Sequence, residues 1–164
     1  SSGYTYAVKA PKKDIPLFKT ILNKDTLING IKNITFTIIP KRHVNQISLF
    51  TDEGTRFETI SFNGQNFDLK TKYDEASMKI KGKEIVRYYV TDNDSLEVSY
   101  TIKREEPVKF TVMEYSFDLL NHPQFSINKR AENMMPKPFV VTDAIAVKKK
   151  IDISAIPLKV TDSL

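Results

Sequence analysis

The segment FETISFNGQNFDL, residues 57 to 69, limits what this chain can fold into more than any other. Apolar and polar residues alternate on either side of Asn63-Gly64. A type I′ turn needs two central residues that tolerate positive φ, and Asn-Gly supplies both, so a β-hairpin is predicted here. The same two-residue period recurs along the chain. In NITFTII, Ile34, Phe36 and Ile38 share one face and Thr35 and Thr37 the other, and Pro40 then closes the segment because it cannot donate to a ladder. VNQISLF follows, ended by the turn-forming TDEG at 51 to 54. EIVRYYV (84 to 90) is expected to form another strand, LEVSYTI (96 to 102) and VKFTVMEYSF (108 to 117) alternate in the same way, and FVVTDAIAVKKKIDI offers one or two strands more.

Strands at such close spacing, with no long helical period between them, predict an all-β fold: an antiparallel β-sandwich of about 7–9 strands with little helix. Seven Tyr and ten Phe agree with that reading, since aromatic residues suit a pleated, half-buried surface. FDLLNHPQF is expected to hold at most one helical turn before Pro123. The 164 residues fit one domain, and a chain of this size buries roughly 70% of its unfolded surface without a covalent staple. The expected division is an extended lead-in over 1–33, the sandwich over 34–151 and a tail over 152–164. The chain's abrupt start, SSGYTY, lacks the regions of a signal peptide and is expected of a piece of a longer polypeptide.

Composition removes some chemistry. With no cysteine there are no disulfides, thiolate metal sites or cysteine nucleophiles. No apolar run reaches the roughly 18 residues that a membrane-spanning helix needs. The net charge of +5 comes from lysines spread along loops and strand ends, where lysine commonly protects sheet edges. A nucleic-acid partner is therefore not expected; weak contact with an anionic membrane surface fits the charge better.

Specific motifs are few. His43 and His122 stand in no metal-binding frame and are expected in loops. Asp92, Asp94 and Glu97 in TDNDSLE are hard oxygen donors that calcium could use, but the EF-hand pattern fails at Leu96, and the same residues make an ordinary turn. Asn33 and Asn93 open glycosylation sequons. No nucleophile elbow or phosphate-cradling loop is present, so no catalytic residue is assigned and no cofactor is expected. Tyr88, Tyr89, Tyr100 and Tyr115 could line a sugar-binding face, although adjacent Tyr88 and Tyr89 must point to opposite sides of a strand. In NMMPKPF, Pro136 and Pro138 stiffen the connection; Met134 and Met135 are expected to plug an edge of the core, with a binding-loop role as the alternative.

The order of segments carries one resemblance. YYVTDNDSLEVSYTI (88 to 102) and the run from Val108 to Ile151, with FDLL at 117 to 120, MMPKPFV at 134 to 140 and VKKKI at 147 to 151, resemble the C-terminal β-rich domain of membrane-bound zinc exopeptidases of the aminopeptidase type from Bacteroidetes. IIPKRHVNQISLF (38 to 50) resembles an earlier part of the same domain, and DISAIPLKVTDSL after Ile151 departs from the pattern. The resemblance implies a non-catalytic accessory domain on the extracytoplasmic side, tethered to the membrane through the peptidase and transmembrane portions of the same polypeptide. The family's zinc ligands lie in the peptidase domain, and no segment here matches them. The rival expectation is a stand-alone extracytoplasmic module that binds a glycan or a protein.

Overall fold

The computed structural model describes residues 13–52, 54–67, 83–91, 94–103, 105–129, 131–135 and 143–160. They form nine strands: β1 (Lys19–Ile28), β2 (Ile31–Ile39), β3 (Gln46–Thr51), β4 (Thr59–Phe62), β5 (Gln65–Asn66), β6 (Lys83–Tyr89), β7 (Leu96–Ile102), β8 (Lys109–Ser116) and β9 (Ile145–Asp152). One sheet has the order β1-β2-β7-β4-β5 and the other β6-β3-β8-β9, with every strand pair antiparallel. The predicted antiparallel sandwich is the fold observed.

Alternation explains how the sheets meet. Ile34, Phe36 and Ile38 of β2, Leu96, Val98, Tyr100 and Ile102 of β7, and Val108, Phe110 and Val112 leading into β8 are all buried in one core. The two sheets touch through rings: Phe36 and Phe110 lie 5.1 Å apart between centroids, and Tyr100 and Phe110 5.7 Å apart. The opposite face of the first sheet is laced by hydroxyls, Thr35 with Ser99 at 2.9 Å and Thr59 with Thr101 at 2.7 Å, as cross-strand Thr and Ser pairs do.

Two corrections follow for the chain ends. The stretch 1–33 is not simply an extended lead-in, because β1 lies within it and pairs with β2 from Lys19↔Ile39 to Ile28↔Ile31. The turn is Asn29-Gly30, with φ of 50° and 76°, the same dipeptide and backbone as Asn63-Gly64 at 47° and 78°. A bulge between Leu22 and Lys24 breaks the two-residue period of β1, which is why its pattern does not read as a strand. The stretch after Ile151 is not a free tail either. Ile153 is buried in the core, and the backbone N–H of Lys159 donates to the carbonyl of Leu22 at 2.8 Å, beside a parallel bridge between Leu22 and Leu158.

The segment FDLLNHPQF forms turns, with Asn121 N–H donating to Asp118 and Phe125 N–H to His122. Among the described residues no helix is long and apolar enough to cross a membrane.

Candidate functional site

The register of the second sheet places its outward side chains in rows. The first row runs Tyr89, Gln46, Tyr115, Ala146 across β6, β3, β8 and β9; the second runs Arg87, Ser48, Met113, Lys148; the third runs Glu84, Phe50, Thr111, Lys150. Adjacent strands lie about 4.8 Å apart, so the backbones carrying Tyr89 and Tyr115 are roughly 10 Å apart with Gln46 between them.

A hydrogen-bonded chain forms the floor of this face. Gln46 Nε2 donates to Ser48 Oγ at 3.1 Å, and the Ser48 hydroxyl donates to Glu84 Oε1 at 2.6 Å. Arg87 grips the same carboxylate with two bonds, Nε to Oε1 at 3.1 Å and a terminal nitrogen to Oε2 at 2.8 Å. Its hydrogen bonds, to Glu84 first and then to Tyr89, raise the Arg87 pKa. Burial raises the Tyr115 phenol, and the Glu84 charge adds to that shift, so the hydroxyl stays protonated and donates to Met113 Sδ at 3.3 Å. Gln46 and Ser48 are buried although they point away from the core, and Gln46 Oε1 has no hydrogen-bond partner. Tyr89 is 58% exposed. Chemically the face offers flat rings over a fixed set of polar groups, with the ammonium groups of Lys148 and Lys150 along one side.

The four tyrosines therefore separate. Tyr89 and Tyr115 share the outer face; Tyr88 packs against the core opposite Ile47, and Tyr100 is inside it. Tyr88 is excluded from a sugar-binding face by strand parity. Sequence reasoning missed Gln46, Ser48 and Glu84, whose signal was two polar residues two positions apart at the start of β3 and one on the neighbouring β6.

A second polar cluster sits where β8 runs off the end of the core. Glu114 follows the core-facing parity of Phe110 and Val112 and is fully buried, with Arg42 Nε 4.0 Å from its Oε2. Arg42 donates to the Ser116 hydroxyl and, at 3.5 Å, to the Glu114 carbonyl, while both Glu114 carboxyl oxygens lack a hydrogen-bond partner. Burial raises the Glu114 pKa to about 7, against the opposing pull of the Arg42 charge. A cavity of about 350 Å³ adjoins, lined by Lys41, Arg42, His43 and Asp94 among others.

The calcium candidates are not assembled by what is described. Asp92 lies outside the described residues, Asp94 lines that cavity, and Glu97 is exposed on β7, where its backbone N–H donates to Asn63 Oδ1 at 2.8 Å. Among the described residues no three His, Cys, Asp or Glu side chains gather as a metal site. His43 is exposed, and His122 Nδ1 accepts from Gln124 N–H at 3.3 Å. Asn33 of the first sequon is half-buried within β2; Asn93 of the second lies outside the described residues.

Met134 and Met135 correct an expectation. They are 62% and 88% exposed in a turn closed by Met134 N–H to the Ala131 carbonyl at 2.8 Å, so they do not plug the core. Phe117 and Ile127 of the same β8–β9 connection are exposed too, whereas Pro136, Pro138 and Phe139 lie outside the described residues. No protein-family model, curated protein or solved structure matches the chain.

Proposed function

We propose that this chain is a non-catalytic extracytoplasmic accessory domain of a membrane-bound zinc aminopeptidase-like protein, and that it docks on the peptidase or transmembrane portions of its own polypeptide. The observation that carries the reading is the exposure of Phe117, Ile127, Met134 and Met135 along the β8–β9 connection. FDLL and MMPKPFV, two of the motifs that resemble the exopeptidase family, belong to this connection. Methionine is unbranched and polarizable, and it suits adaptable contact surfaces. A connection that holds such side chains in water gains when an apolar partner covers them.

Two measurements test the reading. The purified chain, offered zinc and aminoacyl p-nitroanilides, is expected to show no turnover; turnover together with stoichiometric zinc would overturn it. In the longer polypeptide, the double variant Met134→Ser/Met135→Ser is expected to speed proteolytic release of the domain while leaving the melting temperature of the isolated domain unchanged. Release at the parent's rate, with peptidase activity also unchanged, removes the docking role.

A second reading, a stand-alone extracytoplasmic module that binds a glycan or a protein, is favoured by one feature: Tyr89 and Tyr115 flank Gln46 in a single outward row, with Tyr89 largely exposed.

A further inference from the structure

We propose that the outer face of the second sheet binds an anionic glycan, a uronate-bearing oligosaccharide, laid across Tyr89 and Tyr115 with its carboxylates toward Lys148 and Lys150. The inference rests on the binding-module reading and names its ligand; it does not depend on a peptidase parent.

Ring spacing is the first support. Two strand intervals separate Tyr89 from Tyr115, roughly 10 Å, which matches a short oligosaccharide better than a single ring. Tyrosine gives the apolar face of a sugar ring a flat partner, and its hydroxyl serves the ring's polar edge. Between the two sits Gln46, whose Oε1 is buried without a donor. A sugar hydroxyl seated between the rings is the kind of group that supplies one, once the side chains that cover Gln46 part to admit it.

Rigidity is the second support. The chain from Gln46 through Ser48 to Glu84 and Arg87 fixes the floor before any ligand arrives, so little ordering remains to oppose binding.

Charge selects the ligand class. Strand alternation divides the lysine run of β9: Lys148 and Lys150 face outward, in the rows of Met113 and Thr111, while Lys149 turns away and lies over the Phe18 ring at 5.3 Å. The Arg87 charge is matched by Glu84, and Lys109 shares its row with Asp152. Among the described residues, Lys148 and Lys150 thus stand outward on one side of the rings outside any ion pair, placed to meet an anion. An oligonucleotide would need cations along a continuous phosphate track, and the two lysines of β9 sit on one strand at one side of the rings.

The test is calorimetric titration of the 164-residue chain with an oligogalacturonate, a neutral gluco-oligosaccharide of equal length, a single-stranded oligodeoxynucleotide and phosphatidylserine vesicles. The oligogalacturonate is expected to bind. Tyr89→Ala weakens it about tenfold, equivalent to 1.4 kcal/mol, and Tyr89→Phe stays within about twofold because the ring remains. Lys148→Gln/Lys150→Gln weakens binding and flattens its salt dependence. Tyr89 is exposed, so its variants are expected to keep the parent melting temperature, which separates lost binding from lost folding. Binding indifferent to Tyr89→Ala overturns the site. Equal, tyrosine-dependent binding of the neutral oligosaccharide overturns the anionic ligand and leaves the module reading standing. Preference for the oligonucleotide or the vesicles overturns the ligand class, and silence toward both glycans overturns the inference together with the glycan arm of the module reading.

Discussion

Glu114 shows how one residue can set a pH response. It occupies a core-facing position of β8, and burial moves its pKa from 4.5 to about 7. The raised value favours the protonated form in the folded state. Below about pH 4.5 both folded and unfolded chains carry the proton, so the group costs nothing; as pH rises toward 7 the unfolded chain releases its proton first and stability falls. The full loss is about 3 kcal/mol, from 1.36 kcal/mol per pKa unit. Denaturant titrations between pH 4 and pH 8 are expected to show that decline in the parent and a nearly flat profile in Glu114→Gln, with the variant the more stable at pH 8. A profile of equal slope in both would show that Arg42 already neutralises the site. Alternation alone marked Phe110 and Val112 as core residues, but not Glu114, because the period that buries an apolar side chain gives no warning of a buried carboxyl.

At the scale of elements, two Asn-Gly turns set two hairpins. Gly30 and Gly64 stand at φ of 76° and 78° with open space where a Cβ would go, so substitution there costs conformation and not a clash. Gly30→Ala and Gly64→Ala are each expected to lose about 1–2 kcal/mol in chemical denaturation. Asn63 does more than turn the chain: its side chain donates to the Ser95 carbonyl and accepts from Glu97 N–H, tying β4 and β5 to the start of β7. Asn63→Gly keeps the backbone but loses both bonds, and is expected to destabilise by roughly 1–3 kcal/mol where a purely local turn would change little. The turn at 63–64 was legible because clean alternation surrounds it. The turn at 29–30 was not, because a bulge in β1 shifts the parity and leaves Leu27 and Ile28 exposed.

At the scale of the whole molecule, β1 and the segment after β9 meet. β1 is an edge strand, and an uncovered edge invites pairing with other chains. Here the segment after β9 reaches back: Lys159 bonds the Leu22 carbonyl and Ile153 enters the core, while Asp152 caps the 3₁₀ turn Ile153–Ala155 through Ser154 N–H at 3.0 Å. Ile153→Ala is expected to lower unfolding free energy by about 2–5 kcal/mol, the range for a buried isoleucine. A change under half a kcal/mol would return this segment to the status of a tail.

Outside the bulged β1, the order of polar and apolar residues determined by itself which segments become strands and which side of each carries the apolar core, because a pleated strand allows only two sides and water decides between them. Tyr88 and Tyr89 were parted on that ground alone. Which strands became neighbours was decided only by the tertiary structure, since pairing depends on residues far apart in sequence. The rows that set Tyr89 beside Gln46 and Tyr115, and Lys148 beside Met113, exist only once β6, β3, β8 and β9 lie side by side.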